Sequence, residues 1–306
     1  MPCEAAKRRP AAFLRETDMT TEIQRSPNRR PLQVSQLGLH LLIAFLLLLS
    51  LVPTVIMINL SFKNGLQYRW ERWTLSLPLR GSNYLSSWDV IDAYMLNTVF
   101  VAVVGLAGVL ILSLIGGYVF ARMRFPLREP LYYAIIALLM VPWVLSFIPA
   151  YMLYNNLGLL NTRWALIIPN VAGGPIFGIF LMRAFITGIP EELYESARCD
   201  GAGAWSLIWR ITFPLSLPGL ATLSVLNFVA EWNSFLWPLV TISDMSKQVI
   251  SVGLFRLSRT TNDLVDFGSG GPLFAGYVLA SIPLVVLFIV LGKFYVEGLV
   301  ESGIKM

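Results

Sequence analysis

Residues 188–220 read GIPEELYESARCDGAGAWSLIWRITFPLSLPGL, a polar, punctuated stretch between two long apolar runs, and their reading decides the fold. Pro190 suits the first turn of a helix, and Glu191 and Glu192 suit its positive end. That helix is expected to reach Cys199. Asp200, ahead of Gly201-Ala202-Gly203, is placed to cap a second short helix over 204–212, which Pro214 ends. Helix, tight glycine turn, helix and re-entry into an apolar run make a compact protrusion. Such a protrusion is shaped to fit a groove on a partner.

The flanking runs say where it protrudes from. Of 306 residues, 56% are hydrophobic and 13% charged, against roughly 25% charged in soluble domains. That is too little charge to cover a water-facing surface of this size. Six apolar runs reach the ~20-residue length that crosses a bilayer: 37–62, 93–120, 130–153, 164–186, 219–243 and 272–295. The expected fold is therefore an all-α integral membrane protein of six transmembrane helices over 37–306, behind a polar, disordered tail at 1–36. The first run is too long for a signal-peptide core, and no small-residue cleavage site follows it. It stays as a span despite Pro53. Gly105, Gly108, Gly116 and Gly117 in the second run let helix backbones approach closely. Pro142 and Pro149 interrupt the third run, and Pro169 with Gly173-Gly174-Pro175 is expected to break the fourth. Broken spans are tolerated only where protein or a water-filled cavity satisfies the backbone, which favours a transporter over an anchor.

Lys and Arg placement sets the orientation. With the N-terminus in the cytoplasm, 15 of the 23 basic residues fall inside and 8 outside, so both termini are expected to be cytoplasmic. The net charge of +5 then reports topology, not a nucleic-acid partner. The sequence holds no GxxxxGK[ST] phosphate loop, so this chain does not hydrolyse ATP by that route. With no GxSxG elbow and no HExxH helix, a membrane hydrolase has little support. Cys3 and Cys199 imply no disulfide framework, and His40 is the single histidine. Neither catalytic nor metal-binding residues are expected.

In that setting, residues 188–218 resemble the EAA loop of binding-protein-dependent ABC importer permeases. The family pattern is Glu-Ala-Ala, three residues, Gly, nine residues, Ile-x-Leu-Pro. This chain has Glu195-Ser196-Ala197, then Gly201, then Ile211-Thr212-Phe213-Pro214; Ser196 and Phe213 are mild departures. Four more segments resemble the family in order. Gly117-Tyr118-Val119-Phe120-Ala121-Arg122 with Phe125-Pro126 is similar to the second-span exit. Asn156-Leu157-Gly158-Leu159-Leu160-Asn161-Thr162 is similar to the external turn after span three. Trp232-Asn233-Ser234-Phe235-Leu236-Trp237-Pro238-Leu239 resembles span five of the carbohydrate branch. Gly298-Leu299-Val300-Glu301-Ser302-Gly303-Ile304-Lys305 resembles the C-terminus of its smaller, maltose-type permease subunit.

The resemblance implies a permease subunit of a bacterial sugar (oligosaccharide) importer in the cytoplasmic (inner) membrane. It implies a second permease in a heterodimer and an extracytoplasmic solute-binding protein that delivers sugar. Two ATPase subunits would carry ATP and Mg, with no cofactor on this chain. It assigns ATPase coupling to Glu192, Glu195, Ser196, Ala197, Asp200, Gly201 and Ala202. An ABC permease for another small solute and an ion-coupled secondary transporter are the alternatives; the latter needs intramembrane carboxylates, and only Glu231 qualifies.

Glu231 lies in mid-span, where a charge costs ~2.5–3.5 kcal/mol on insertion scales. Ser224, Asn227, Glu231 and Ser234 recur at i, i+3, i+7 and i+10, one face of a continuous helix. They read either as interhelical hydrogen bonding or as a sugar-facing stripe. Matched by motif position, the resemblance implies substrate contacts at Asn170, Gly173, Gly174 and Phe177 in the fourth span, and at Glu231 and Ser234 in the fifth. Tyr68, Trp70, Trp73, Tyr84 and Trp88 read either as a docking patch for the binding protein or as an interfacial aromatic belt.

Overall fold

The computed structural model describes residues 34–75, 77–263 and 270–303. Most of the tail, with Cys3, and residues 304–306 lie outside the described residues. The regular structure among the described residues is helical: α1 Val34–Ser61, α2 Gly65–Trp70, α3 Ser82–Arg122, α4 Arg128–Ala137, α5 Trp143–Asn156, α6 Trp164–Thr187, α7 Glu191–Cys199, α8 Ala204–Ser206, α9 Phe213–Leu215, α10 Leu217–Trp232, α11 Leu236–Thr241, α12 Ile250–Asp263 and α13 Gly270–Gly303. Among the described residues four helices are long and apolar enough to cross a membrane alone. Two bent pairs bring the count to 6 if each is one span.

α1 passes straight through Pro53. α3 departs from expectation at its start, which is Ser82 and not residue 93. At 41 residues it is about 60 Å long, twice the ~30 Å hydrocarbon core. Its first turns are helical because they are packed and pinned. Asn83, Ser87, Ile91 and Met95 recur every fourth residue on a buried face. The Asn83 amide donates to the Ser61 carbonyl at 2.8 Å and the Lys63 carbonyl at 3.0 Å.

The third run is not one straight helix. Residues Arg128–Met140 and Trp143–Asn156 meet at 93°, with Pro142 extended at the corner. Pro149 sits inside α5 without breaking it. The break expected in the fourth run is absent, because α6 continues through Pro169, Gly173, Gly174 and Pro175. Pro169 has no N–H to give Ala165 four residues back; that carbonyl instead accepts the Trp237 indole N–H at 2.8 Å. The break falls in the fifth run, where α10 stops at Trp232 and the chain resumes as α11. Here Pro238 cannot serve the Ser234 carbonyl, which accepts the Ser251 hydroxyl at 2.5 Å. α12 was not foreseen as a helix.

α3 and α6 form the tightest pair, for the reason their glycines suggest. A Cβ on Gly105 would meet Asn170, on Gly108 Val171, on Gly116 Ile179 and on Gly117 Met182. From the other side, a Cβ on Gly174 would meet Val109, and one on Gly178 would collide with the Ser113 hydroxyl. α10 packs on both helices and on α13.

Candidate functional site

The protrusion is built as a rigid piece. α7 starts directly after Pro190, with Glu191 and Glu192 in its first turn and Arg198 in its last. Its end is a doubly bonded glycine cap. The Gly201 N–H donates to the Arg198 carbonyl at 3.0 Å, and the Ala202 N–H to Ala197 at 2.9 Å. Gly201 has φ +83°, the left-handed conformation this cap demands. Ala197 and Ala202, three before and two after the cap residue Asp200, both pack on the core beneath. The spacing of Ala197, Gly201 and Ala202 is thus the spacing of one cap motif.

Two expectations for this segment are corrected. Asp200 does not cap the second helix; it is the C-cap residue of α7, and Gly203 holds the N-cap position of α8 without a side-chain bond. Nor does Pro214 end a single helix over 204–212. α8 widens into a π-helical stretch at Leu207–Thr212 and continues as α9 to Leu215. The Thr212 hydroxyl donates to Leu207, five residues back, at 3.0 Å, and Pro214 cannot donate to Arg210. Both favour the wider turn over an α-helical one.

Tyr194 locks the protrusion to the bundle, and sequence reasoning missed it. It is fully buried, hydrogen-bonds Thr212 at 3.1 Å and lies 6.3 Å ring to ring from Tyr118 of α3. Arg122, at the end of α3, stacks 4.5 Å over the Tyr194 ring and pairs with Glu191. It also donates to the carbonyls of Ile186, at 2.6 Å, and Ile189. A signal was available: Tyr194 is the single aromatic ring in a nine-residue helix that carries four charges. A second tie joins α4 to α6, where Glu129 accepts from Arg183 at 2.8 Å and Arg128 at 2.9 Å.

What remains exposed is the outer face. Glu192, Glu195, Ser196 and Asp200 face solvent, with Leu193 and Trp205, the latter 64% exposed. The Ser196 hydroxyl bonds back to the Glu192 carbonyl at 2.8 Å, so serine is satisfied where the pattern has alanine. Cys199 is exposed.

The residues suggested for a pathway separate into two groups. Asn170 and Asn227 meet across α6 and α10, the Asn227 amide donating to Asn170 at 3.0 Å. Gly174 lies against the pair: a Cβ there would stand 3.2 Å from each amide. Glu231, one turn beyond Asn227, is half-buried. Gly173 and Phe177 lie on the open face of α6. The single stripe through Ser224, Asn227, Glu231 and Ser234 does not form. Ser234 lies past the end of α10, and Ser224 bonds its own helix and lines an apolar cavity of about 270 Å³ with Leu110, Leu114, Trp209 and Leu220. Asn227 makes an interhelical hydrogen bond, and Glu231 does not share it.

At the opposite ends of the helices the aromatics also divide. Tyr68 packs on Phe274 beneath Arg72, and the Tyr84 hydroxyl bonds Ser61 at 2.7 Å. Trp70, Trp73 and Trp88 stay exposed. Buried Lys63 is satisfied by the Glu71 and Thr74 carbonyls. Asp244, before α12, is held below the usual carboxylate range first by the Ser246 hydroxyl, then by the Ser246 N–H and Lys247. Among the described residues no three His, Cys, Asp or Glu side chains group to hold a metal.

Glycine-locked spans, a polar seam between two of them and an exposed helix pair tied to the bundle are, as a class, the build of a membrane transport component. Residues 110–300 match the family described as the binding-protein-dependent transport system inner membrane component, and the chain belongs to that family of ABC importer permeases. The diacetylchitobiose uptake system permease protein NgcG of Streptomyces coelicolor is 32% identical over 86% of this chain and 87% of its own length. The arabinooligosaccharides transport system permease protein AraQ of Halalkalibacterium halodurans is 29% identical over 86% of this chain and 94% of its own. A solved bacterial ABC transporter involved in import of the acidic polysaccharide alginate superimposes with TM-score 0.75 at 23% identity, covering 86% of this chain and 96% of that one. That likeness supports the fold.

Proposed function

We propose that this chain forms half of the translocation pathway of an ATP-driven oligosaccharide importer and couples it to cytoplasmic ATPases through α7–α9. The observation that carries the proposal is the double cap at Gly201 seated on Tyr194 and Arg122. A loop that must transmit motion cannot have slack, and here its turn is capped onto α7 while its underside and root are tied to the end of α3. Its free face joins carboxylates (Glu192, Glu195, Asp200) with apolar Leu193 and Trp205, which suits a partner groove of mixed basic and apolar character. The relatives named for diacetylchitobiose and arabinooligosaccharides support a sugar as cargo. In this reading α7 and both termini are cytoplasmic. A second permease completes the pathway, two ATPase subunits carry ATP and Mg, and a solute-binding protein docks at the end bearing Trp70, Trp73 and Trp88. Asn170, Gly173, Gly174, Phe177, Asn227, Glu231 and Ser234 are the candidates to face sugar.

The test is co-expression with the candidate partners followed by purification through this chain. The expected result is a complex of two permeases and two ATPases whose ATP hydrolysis depends on the ATPase subunits. ATP hydrolysis by the isolated chain, or oligosaccharide uptake that persists without the ATPases, would refute it.

A further inference from the structure

Glu231 is a carboxylate with no ion pair among the described residues. It sits in the last turn of α10. Among the described residues its side chain has neither a hydrogen bond nor an ion pair. Of the basic residues of the spanning helices, Arg122, Arg128 and Arg183 stand at or near helix ends, Lys293 lies in the second half of α13, and α10 carries none. Arg163, just before α6, is engaged by the Asn97 amide oxygen at 2.8 Å. A carboxylate left this way within a membrane must meet water, cargo or another protein.

Its surroundings favour cargo of one kind. Asn227 is four residues before Glu231, so the two side chains neighbour each other on the helix surface. The Asn227–Asn170 bond uses one atom of each amide. The other two, the Asn227 oxygen and the Asn170 nitrogen, are buried with no partner. The seam thus places the carboxylate one turn from an amide pair whose remaining atoms are sealed inside the bundle, the Asn170 nitrogen against Gly105 of α3. A carboxylate accepts from two neighbouring hydroxyls at once. An anionic sugar would bring like charge to a group with no cation beside it, an arrangement that discriminates strongly.

Resting on the sugar-permease reading, we infer that Glu231 sets the charge class of the cargo. The pathway takes hydroxyl-rich, uncharged saccharides and rejects those bearing uronate or phosphate groups. Rejection comes from repulsion at Glu231, and acceptance from cargo hydroxyls that donate to its carboxylate.

The experiment uses cells carrying the complete importer. They are given radiolabelled neutral di- and trisaccharides, the uronate counterparts of each, and sugar phosphates. Uptake is normalised to assembled complex recovered from the membrane. Neutral saccharides are the expected cargo. Glu231→Gln should lower neutral uptake less than Glu231→Leu does, since the amide still bonds hydroxyls, and raise the uronate-to-neutral uptake ratio about tenfold. Glu231→Leu should lower kcat/KM for the neutral sugar at least tenfold, with assembly unchanged. An unchanged ratio in Glu231→Gln would place the discrimination elsewhere, and wild-type import of uronates or phosphates would overturn the inference outright. Loss of assembled complex in Glu231→Gln would assign the carboxylate to a neighbouring subunit instead, also overturning it. If no saccharide of any charge is imported, the sugar-permease reading itself fails, a result distinct from the other three.

Discussion

Gly201 offers the sharpest test of the coupling loop, because two effects that usually travel together are separate there. Its φ of +83° is costly for a residue with a Cβ, yet a Cβ built on it meets nothing within 4 Å. A substitution therefore strains the backbone without a clash inside the chain. Left-handed geometry costs an ordinary residue ~1–2 kcal/mol, and Asn or Asp less. The alternative is to abandon the cap, forfeiting two hydrogen bonds of ~0.5–1.5 kcal/mol each. Gly201→Ala should thus shift the loop's native population by about tenfold, the equivalent of ~1.4 kcal/mol. Gly201→Val should do worse, and Gly201→Asn should be the mildest. Gly201→Asp should fall below Asn by an amount that only charge explains, because the open space around the Cβ is where a docked partner would stand. The assay is sugar uptake and ATP hydrolysis by the assembled complex, reported as sugar moved per ATP. The expected order of coupling is Gly, Asn, Ala, Val, with ATPase activity retained. If Gly201→Val transports as efficiently as the parent, the cap does not transmit motion and the reasoning fails.

Two further predictions follow from named contacts. Gly178→Val should sharply reduce folded protein recovered from the membrane, since the side chain runs into Ser113 where α3 and α6 touch; overpacking of this kind costs ~1–3 kcal/mol or more. Gly173→Ala, on the same helix with nothing within 4 Å, should be neutral or raise thermal stability by up to ~1 kcal/mol, and equal losses for both would refute the close-packing argument. Tyr194→Phe removes the bond to Thr212 and should cost about 1 kcal/mol, whereas Tyr194→Ala empties a fully buried site at ~3–5 kcal/mol. Thermal melts of the purified complex check the order, and an unaffected Tyr194→Ala would show that the protrusion is not seated as described.

Much of this architecture is written locally. Apolar runs of bilayer length, glycines spaced along α3 and the sequence Pro190-Glu191-Glu192 through Gly201 act through near neighbours or through the surrounding solvent, so each can be read from one chain segment. The positions of the prolines are equally plain, but their consequences are not. Pro142 turns the chain by 93° while Pro169 and Pro175 leave α6 intact. The difference lies in what reaches the orphaned carbonyl: Trp237, 72 residues away, serves Ala165. In the same way Ser251 serves Ser234, and a helix face counted out to Ser234 ends at Trp232. Tyr194 and Arg122 became central because α3 ends beneath α7. Helical periodicity assigned Glu231 and Asn227 to one face; that Asn227 finds Asn170 while Glu231 finds no partner among the described residues was decided by the packing of α10 on α6. A backbone group without a partner, or a charge without a counter-charge, is settled by whichever distant side chain arrives, and that is a property of tertiary packing.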